Sequence, residues 1–348
     1  MRTTALLGAT LLAAASARAQ APLTVGTATA RPGEAASGVI DVPDGSDPGT
    51  QVPVSVVNGA KPGPVLALIA GTHGYEYTSI VALPRVLAKL DPRRMTGAVI
   101  LVHMANPPAF YERRIYRNVD GKNLNRVYPG LAGGTQTDRI AFAITREVID
   151  RATHLVDMHC GDGNESLWRY SYWQVTGDPK MDGAGKEMAL AFGLEHVVID
   201  RERPKDPAKS LYTSNTAVLR GKPALTVEAG GMGATDEESV AAQEKGALSV
   251  IAHLGIQDFP SARVEKPVYI DRAEVVTAPA TGVWRGSVEK MQAVEEGAVL
   301  GRLHDPYGRV LAEVKAPFAG KVLYVVGTPP ASKGEPLAFV GHVADRAP

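Results

Sequence analysis

The sequence predicts an α/β protein, with a mostly parallel or mixed sheet and flanking helices, followed by a smaller all-β unit. Three observations carry this. Strand-length apolar runs at 65–70, 98–105, 154–159, 196–200 and 223–228 alternate with helical patterns at about 77–90, 137–152, 180–192 and 235–254. From about Val264 the helical periodicity stops, and short β-type runs alternate with Gly and Pro. Finally, His73, His159 and Glu228 all fall at or just beyond strand ends, where sheets of this class build their sites.

Composition bounds the function. The chain has 348 residues, enough for two domains, and 37 basic residues balance 37 acidic ones. A formal charge of zero gives no electrostatic case for nucleic acid or an anionic membrane surface. Cys160 is the single cysteine, so no intrachain disulfide can form. Beside His159 on an alternating strand it points to the opposite face, as a packed thiol rather than a ligand or nucleophile.

Taken in order, the chain begins with a secretory signal over residues 1–19. Arg2 gives a positive start, Ala5 to Ala15 is apolar but too short to span a bilayer, and Ala17-Arg18-Ala19 fits a cleavage site, with Ala19-Gln20-Ala21 as a second option. Export to a periplasm is expected, and no other apolar run reaches membrane-spanning length. Residues 22 to about 60 carry turn-like clusters and short β-runs such as Gln51 to Val57, read as edge strands.

The run Val65 to Ala70 is a buried strand that Gly71 ends. His73 and Glu76 stand where it hands over to a helix, and their i,i+3 spacing points both side chains the same way. Imidazole plus carboxylate at that spacing is two thirds of a three-ligand zinc site, and a third ligand must come from another strand end. Pro84 must kink or shorten the helix that follows. His159 closes the strand His154-Leu-Val-Asp-Met-His, and Asp157 shares its face. Metal-bound histidines lean on such carboxylates, so Asp157 serves either His73 or His159. Glu228 ends Pro223-Ala-Leu-Thr-Val-Glu before two glycines, and desolvation there would raise its pKa toward the range of a general base. Asn125 and Arg126 lie in a loop before Pro129-Gly130 and suit a carboxylate. Upstream, Arg113, Arg114 and Arg117 form a basic cluster, one of which could polarise a substrate carbonyl. The polar stretch Arg201 to Asn215 is a further candidate for the pocket lining.

The last eighty or so residues, from a boundary near 260, show a faint repeat. Ala278-Pro279-Ala280-Thr281-Gly282 recurs as Ala316-Pro317-Phe318-Ala319-Gly320, and each copy is followed by a β-run and then Glu296-Gly297 or Lys333-Gly334. The division is therefore 1–19, 20–260 and 261–348.

Gly71-x-His73-x-x-Glu76, Asn106-Pro107, Asp120-Gly-Lys-Asn-Leu-Asn-Arg-Val-Tyr-Pro-Gly130, Asp157-x-His159 and Val227-Glu228-x-Gly230-Gly231, in this order, resemble the succinylglutamate desuccinylase/aspartoacylase family of the zinc carboxypeptidase clan. The resemblance covers roughly residues 60 to 345. It implies a zinc-carboxypeptidase-like mixed sheet and one zinc ion held by His73, Glu76 and His159. It further implies Glu228 as general base, Asn125 and Arg126 as the clamp for a small carboxylate-bearing substrate, and Arg113 or Arg117 as the carbonyl-polarising arginine. The β domain resembles a biotinyl/lipoyl hammerhead, yet its turn His304-Asp-Pro-Tyr-Gly308 has no lysine, so no prosthetic group is expected. Three functions remain open on sequence: a zinc-dependent N-acyl amino acid deacylase, a metallocarboxypeptidase for short or cell-wall peptides, and a zinc-pocket binding protein without turnover.

Overall fold

The computed structural model describes residues 20–115 and 119–346; the expected signal segment and Arg117 lie outside them. A thirteen-stranded mixed sheet runs through the molecule. From one edge its order is Glu34–Val42, Thr50–Asn58, Thr96–Val102, Lys61–Ala70, His154–His159, Ala224–Glu228, Tyr170–Gln174, His196–Asp200, Val268–Thr277, Pro336–Val343, Gly320–Val326 and Ala293–Val294. The short strand Glu165–Leu167 pairs with Gly320–Val326 off this path.

The central strands are apolar on both sides because both faces are covered. Along Lys61–Ala70, Ala67 and Ile69 join the core that contains Ile140, Ile144, Ala217 and Val218. Leu66, Leu68 and Ala70 face the opposite core, made with Leu83, Val86, Phe192 and Leu248. The helices are Tyr77–Leu87, Gln136–Ile144, Pro179–Phe192, Thr213–Val218 and Glu237–His253, with a short one at Pro107–Tyr111. Tyr77–Leu87 ends earlier than periodicity suggests, three residues after Pro84. The pattern read as one helix to residue 152 is α-helical to Ile144 and continues as a π-turn from Thr145 to Ile149.

The strand Tyr170–Gln174 is a correction to the sequence reading, which placed no element between 160 and 179. It fills the sheet interior, antiparallel to Ala224–Glu228 and parallel to His196–Asp200. Its Tyr-Ser-Tyr-Trp-Gln composition suits a strand.

After His253 the described chain is all β apart from loops. Val268–Thr277 serves both parts: Val268, Tyr269 and Ile270 pair in parallel with His196–Val198, and the rest runs antiparallel to Pro336–Val343. The two repeat copies interlock. Ala278 exchanges hydrogen bonds with Gly334 and Glu335, and Ala316 with Gly297 and Ala298, so each copy closes on the other's turn. Gly297 and Gly334 both adopt positive φ, at 78° and 90°.

Candidate metal and acyl-transfer site

The parallel pairing puts the ends of three neighbouring strands side by side. Ile69 lies opposite Asp157, and His159 lies opposite Glu228 in direct register. His73 and Glu76 follow the first strand through Gly71, which takes φ 68°. The carboxylate of Glu76 then sits between two imidazoles. His73 Nδ1 is 2.6 Å from Glu76 Oε1, and His159 Nδ1 is 3.0 Å from the same oxygen. His73, Glu76 and His159 thus bring together donor atoms that could hold one ion.

The outer nitrogens are also accounted for. His73 Nε2 faces Asn123 Oδ1 at 3.1 Å. His159 Nε2 is 3.0 Å from Asp157 Oδ1, an ion pair by distance although it is not aligned as a hydrogen bond. Asp157, left open between two histidines by sequence, therefore belongs to His159. Asn123 takes the equivalent place for His73, a role the sequence reading did not give it. With the outer nitrogens engaged by Asn123 and Asp157, both Nδ1 atoms turn toward the Glu76 carboxylate, the side on which an ion would be held.

Charge follows the geometry. Burial works to raise Glu76, but His159 and His73 outweigh it and hold the carboxyl at about 2. Burial works to lower His159, and Asp157 and Glu76 override it, so the imidazole is raised well above its usual value. Glu228 is pushed well up by burial and by Glu76, Glu165 and Asp162, against the pull of His159. Asp162 is pushed up to about 7, mainly by burial, and Glu165 to about 8 by burial and Asp162. These two carboxyls were not singled out in sequence; their signal is a Gly-flanked acidic loop directly after the His159 strand. The Cys160 thiol is buried and pushed well up by that burial, which makes it a packed, unreactive group.

Asn125 and Arg126 stand on the far side of Asn123. Asn125 is buried, and its Oδ1 accepts from the Thr213 amide at 3.0 Å and from the Thr213 hydroxyl at 3.2 Å. Arg126 is exposed, donates to the Asn125 carbonyl at 2.7 Å and lies 4.6 Å from the Tyr212 ring centre. The polar stretch 201–215 does reach this corner, through Arg203, Tyr212 and Thr213. Arg113 is placed differently. It is exposed, takes φ 56°, and lines a groove with Tyr77, Val81, Phe110 and Tyr111.

The donor set tests well against zinc. Two imidazole nitrogens and a carboxylate oxygen are zinc's catalytic ligands, and the buried Glu76 Oε2 lies 2.9 Å from His159 Nδ1 without an aligned hydrogen bond. Among the described residues no helix is long and apolar enough to cross a membrane.

Comparison with known proteins agrees with this architecture. Residues 62–254 match the succinylglutamate desuccinylase/aspartoacylase catalytic domain. An N-alpha-acetyl-L-2,4-diaminobutyric acid deacetylase from Halomonas elongata is 31% identical over 259 residues, covering 73% of this chain and 74% of that protein. The product-bound ectoine utilization protein EutE (DoeB) from Ruegeria pomeroyi superposes with a TM-score of 0.79 at 26% identity, covering 88% of this chain and 95% of that one. A succinylglutamate desuccinylase/aspartoacylase structure from Rhodobacter sphaeroides shares the fold at TM-score 0.78 and 24% identity, covering 89% and 96%. On the match over residues 62–254 and the 31% identity to the deacetylase relative, the chain belongs to the succinylglutamate desuccinylase/aspartoacylase family.

Proposed function

We propose that the protein is a zinc-dependent deacylase that hydrolyses the amide bond of a small N-acyl amino acid. The observation that carries this is the register of His159 with Glu228: it sets a half-buried carboxyl beside a cluster of two Nδ1 atoms and the Glu76 carboxylate. The deacetylase relative from Halomonas elongata supports the reaction class.

His73, Glu76 and His159 would hold the zinc ion, which supplies Lewis acidity and a water of lowered pKa. The chain's own groups do the rest. Asn123 and Asp157 fix the two imidazoles so that Nδ1 faces inward. Glu228 accepts a proton at its carboxylate as the amide carbonyl is attacked and returns it to the departing amine. Asn125 and Arg126 orient the substrate carboxylate through charge-assisted hydrogen bonds. Arg113, or Arg117 in its place, would face the scissile carbonyl. Export through residues 1–19 belongs to the same reading and would place the enzyme in the periplasm.

The test is a hydrolysis screen with zinc-loaded protein, offering N-acetyl and N-succinyl amino acids beside short peptides. Release of a free amino acid from the acylated panel is expected. Turnover of peptides alone would replace this reading with a carboxypeptidase, and no turnover at full zinc load would leave a binding protein.

A further inference from the structure

Arg203 lies three residues beyond the strand His196–Asp200 and turns back to pair its Nε with Asp200 Oδ2. Its side chain is only 14% exposed. The guanidinium carbon is 4.1 Å from the Tyr212 ring centre and 5.6 Å from that of Tyr172. Arg126 lies 4.6 Å from the same Tyr212 ring. One aromatic ring therefore carries two guanidinium groups. Two cations this close repel, and Asp200 offsets part of that repulsion from the Arg203 side.

The backbone on either side of Tyr212 is fixed without Arg203. Leu211 exchanges hydrogen bonds with Tyr128, and Thr213 is held by Asn125. Asn215 donates to the carbonyls of Pro204 and Ser210 at 2.9 and 2.8 Å, and itself accepts from Gln174. Leu211 holds a positive φ of 65°, which a β-carbon tolerates only where its surroundings over-determine it. What Arg203 contacts in addition is the ring. Arg126, by contrast, is exposed and has two supports: the Asn125 carbonyl and that ring.

We propose that Arg203 is a positioning residue for substrate recognition, holding the Tyr212 ring as a platform against which Arg126 is kept in the direction that meets a carboxylate. This rests on Arg126 being the carboxylate clamp of the proposed function. A flat guanidinium stacked on a ring keeps its in-plane N–H groups free for a bidentate acceptor. Fixing it before binding removes part of the ordering that binding would otherwise require.

The experiment uses the zinc-loaded, full-length protein and the best N-acyl amino acid from the screen, together with its neutral carboxamide. Arg203→Ala should raise KM for the carboxylate substrate about tenfold and change kcat by less than about twofold, with zinc content and thermal midpoint kept. The carboxamide should be unaffected. Added to Arg126→Ala, the change should have no further effect, because the group it positions is gone. Arg203→Lys keeps the charge but lacks the plane, and should behave like the alanine variant; it also serves if Arg203→Ala does not fold. A wild-type KM in Arg203→Lys, or equal losses for acid and carboxamide, overturns the proposal. If Arg126→Ala itself fails to discriminate acid from carboxamide, the clamp falls and this inference with it. If Arg126 discriminates and Arg203 does not, only the inference falls.

Discussion

A carboxyl that must take up and return a proton needs a neighbourhood that makes both forms accessible. Glu228 has burial and three other carboxyls on one side of the balance and His159 on the other. Glu228→Gln keeps the shape and removes the acceptor, so kcat should fall at least about 10²-fold with zinc retained. Near-normal turnover would take Glu228 out of the reaction. Asn123→Ala removes the acceptor behind His73, and zinc affinity should fall about 10- to 100-fold in a chelator competition. Unchanged affinity would show that His73 needs no such support. Glu165 gives a pH prediction with a definite sign. Its folded pKa of about 8 lies above its unfolded value, so its ionisation destabilises the fold progressively as pH rises from about 4.5 to 8. In metal-free protein Glu165→Gln should leave the thermal midpoint unchanged at pH 4 and raise it at pH 8; a gain at pH 4 equal to that at pH 8 would contradict the assignment.

At the scale of elements, the site depends on two loops that meet behind it. Gly161 donates to the Gly230 carbonyl, and Met232 to the carbonyls of Asp162 and Glu165. Gly230 takes φ 100°, and a β-carbon there would stand 2.3 Å from Thr78 Oγ1. Gly230→Ala should therefore displace the Glu228 loop, lowering stability by roughly 1 to 3 kcal/mol and activity more than zinc content. A thermal melt and kcat equal to wild type would show the loop adapts freely. The outline of these elements could be read in the sequence. The strands ending at Ala70, His159 and Glu228 are apolar runs of the right length, bounded by Gly, Pro or polar residues. Tyr170–Gln174 could not be read as readily. It holds no continuous aliphatic run, and its aromatic alternation gains meaning only when both neighbouring strands are known.

At the scale of the molecule, the C-terminal β part continues the catalytic sheet. Val268–Ile270 covers the edge of His196–Asp200, and Gly320–Val326 backs Glu165–Leu167 beside the acidic loop. A chain ending at 262 would expose that edge and remove the buried Tyr269 and Ile270. It should aggregate or melt at least several degrees lower than the full chain, as size-exclusion chromatography and a thermal melt would show. A monomeric, equally stable fragment would make the β part dispensable. The turn at His304 to Gly308, with Tyr307 at its exposed tip, carries no lysine, so the intact mass should show no biotinyl or lipoyl addition.

The sequence by itself determined the alternating α/β plan, the change to β structure after about 260, and the identities of His73, Glu76, His159 and Glu228 at strand ends. Local spacing and apolar periodicity are properties of consecutive residues, so these could be read along the chain. The tertiary structure decided the pairings. It assigned Asp157 to His159 and Asn123 to His73, brought Arg203 and Arg126 to one tyrosine ring, and set Asp162 and Glu165 beside Glu228. Each of these depends on which strands lie side by side and in which register. That choice is made by the burial of two sheet faces at once, which no window of sequence contains.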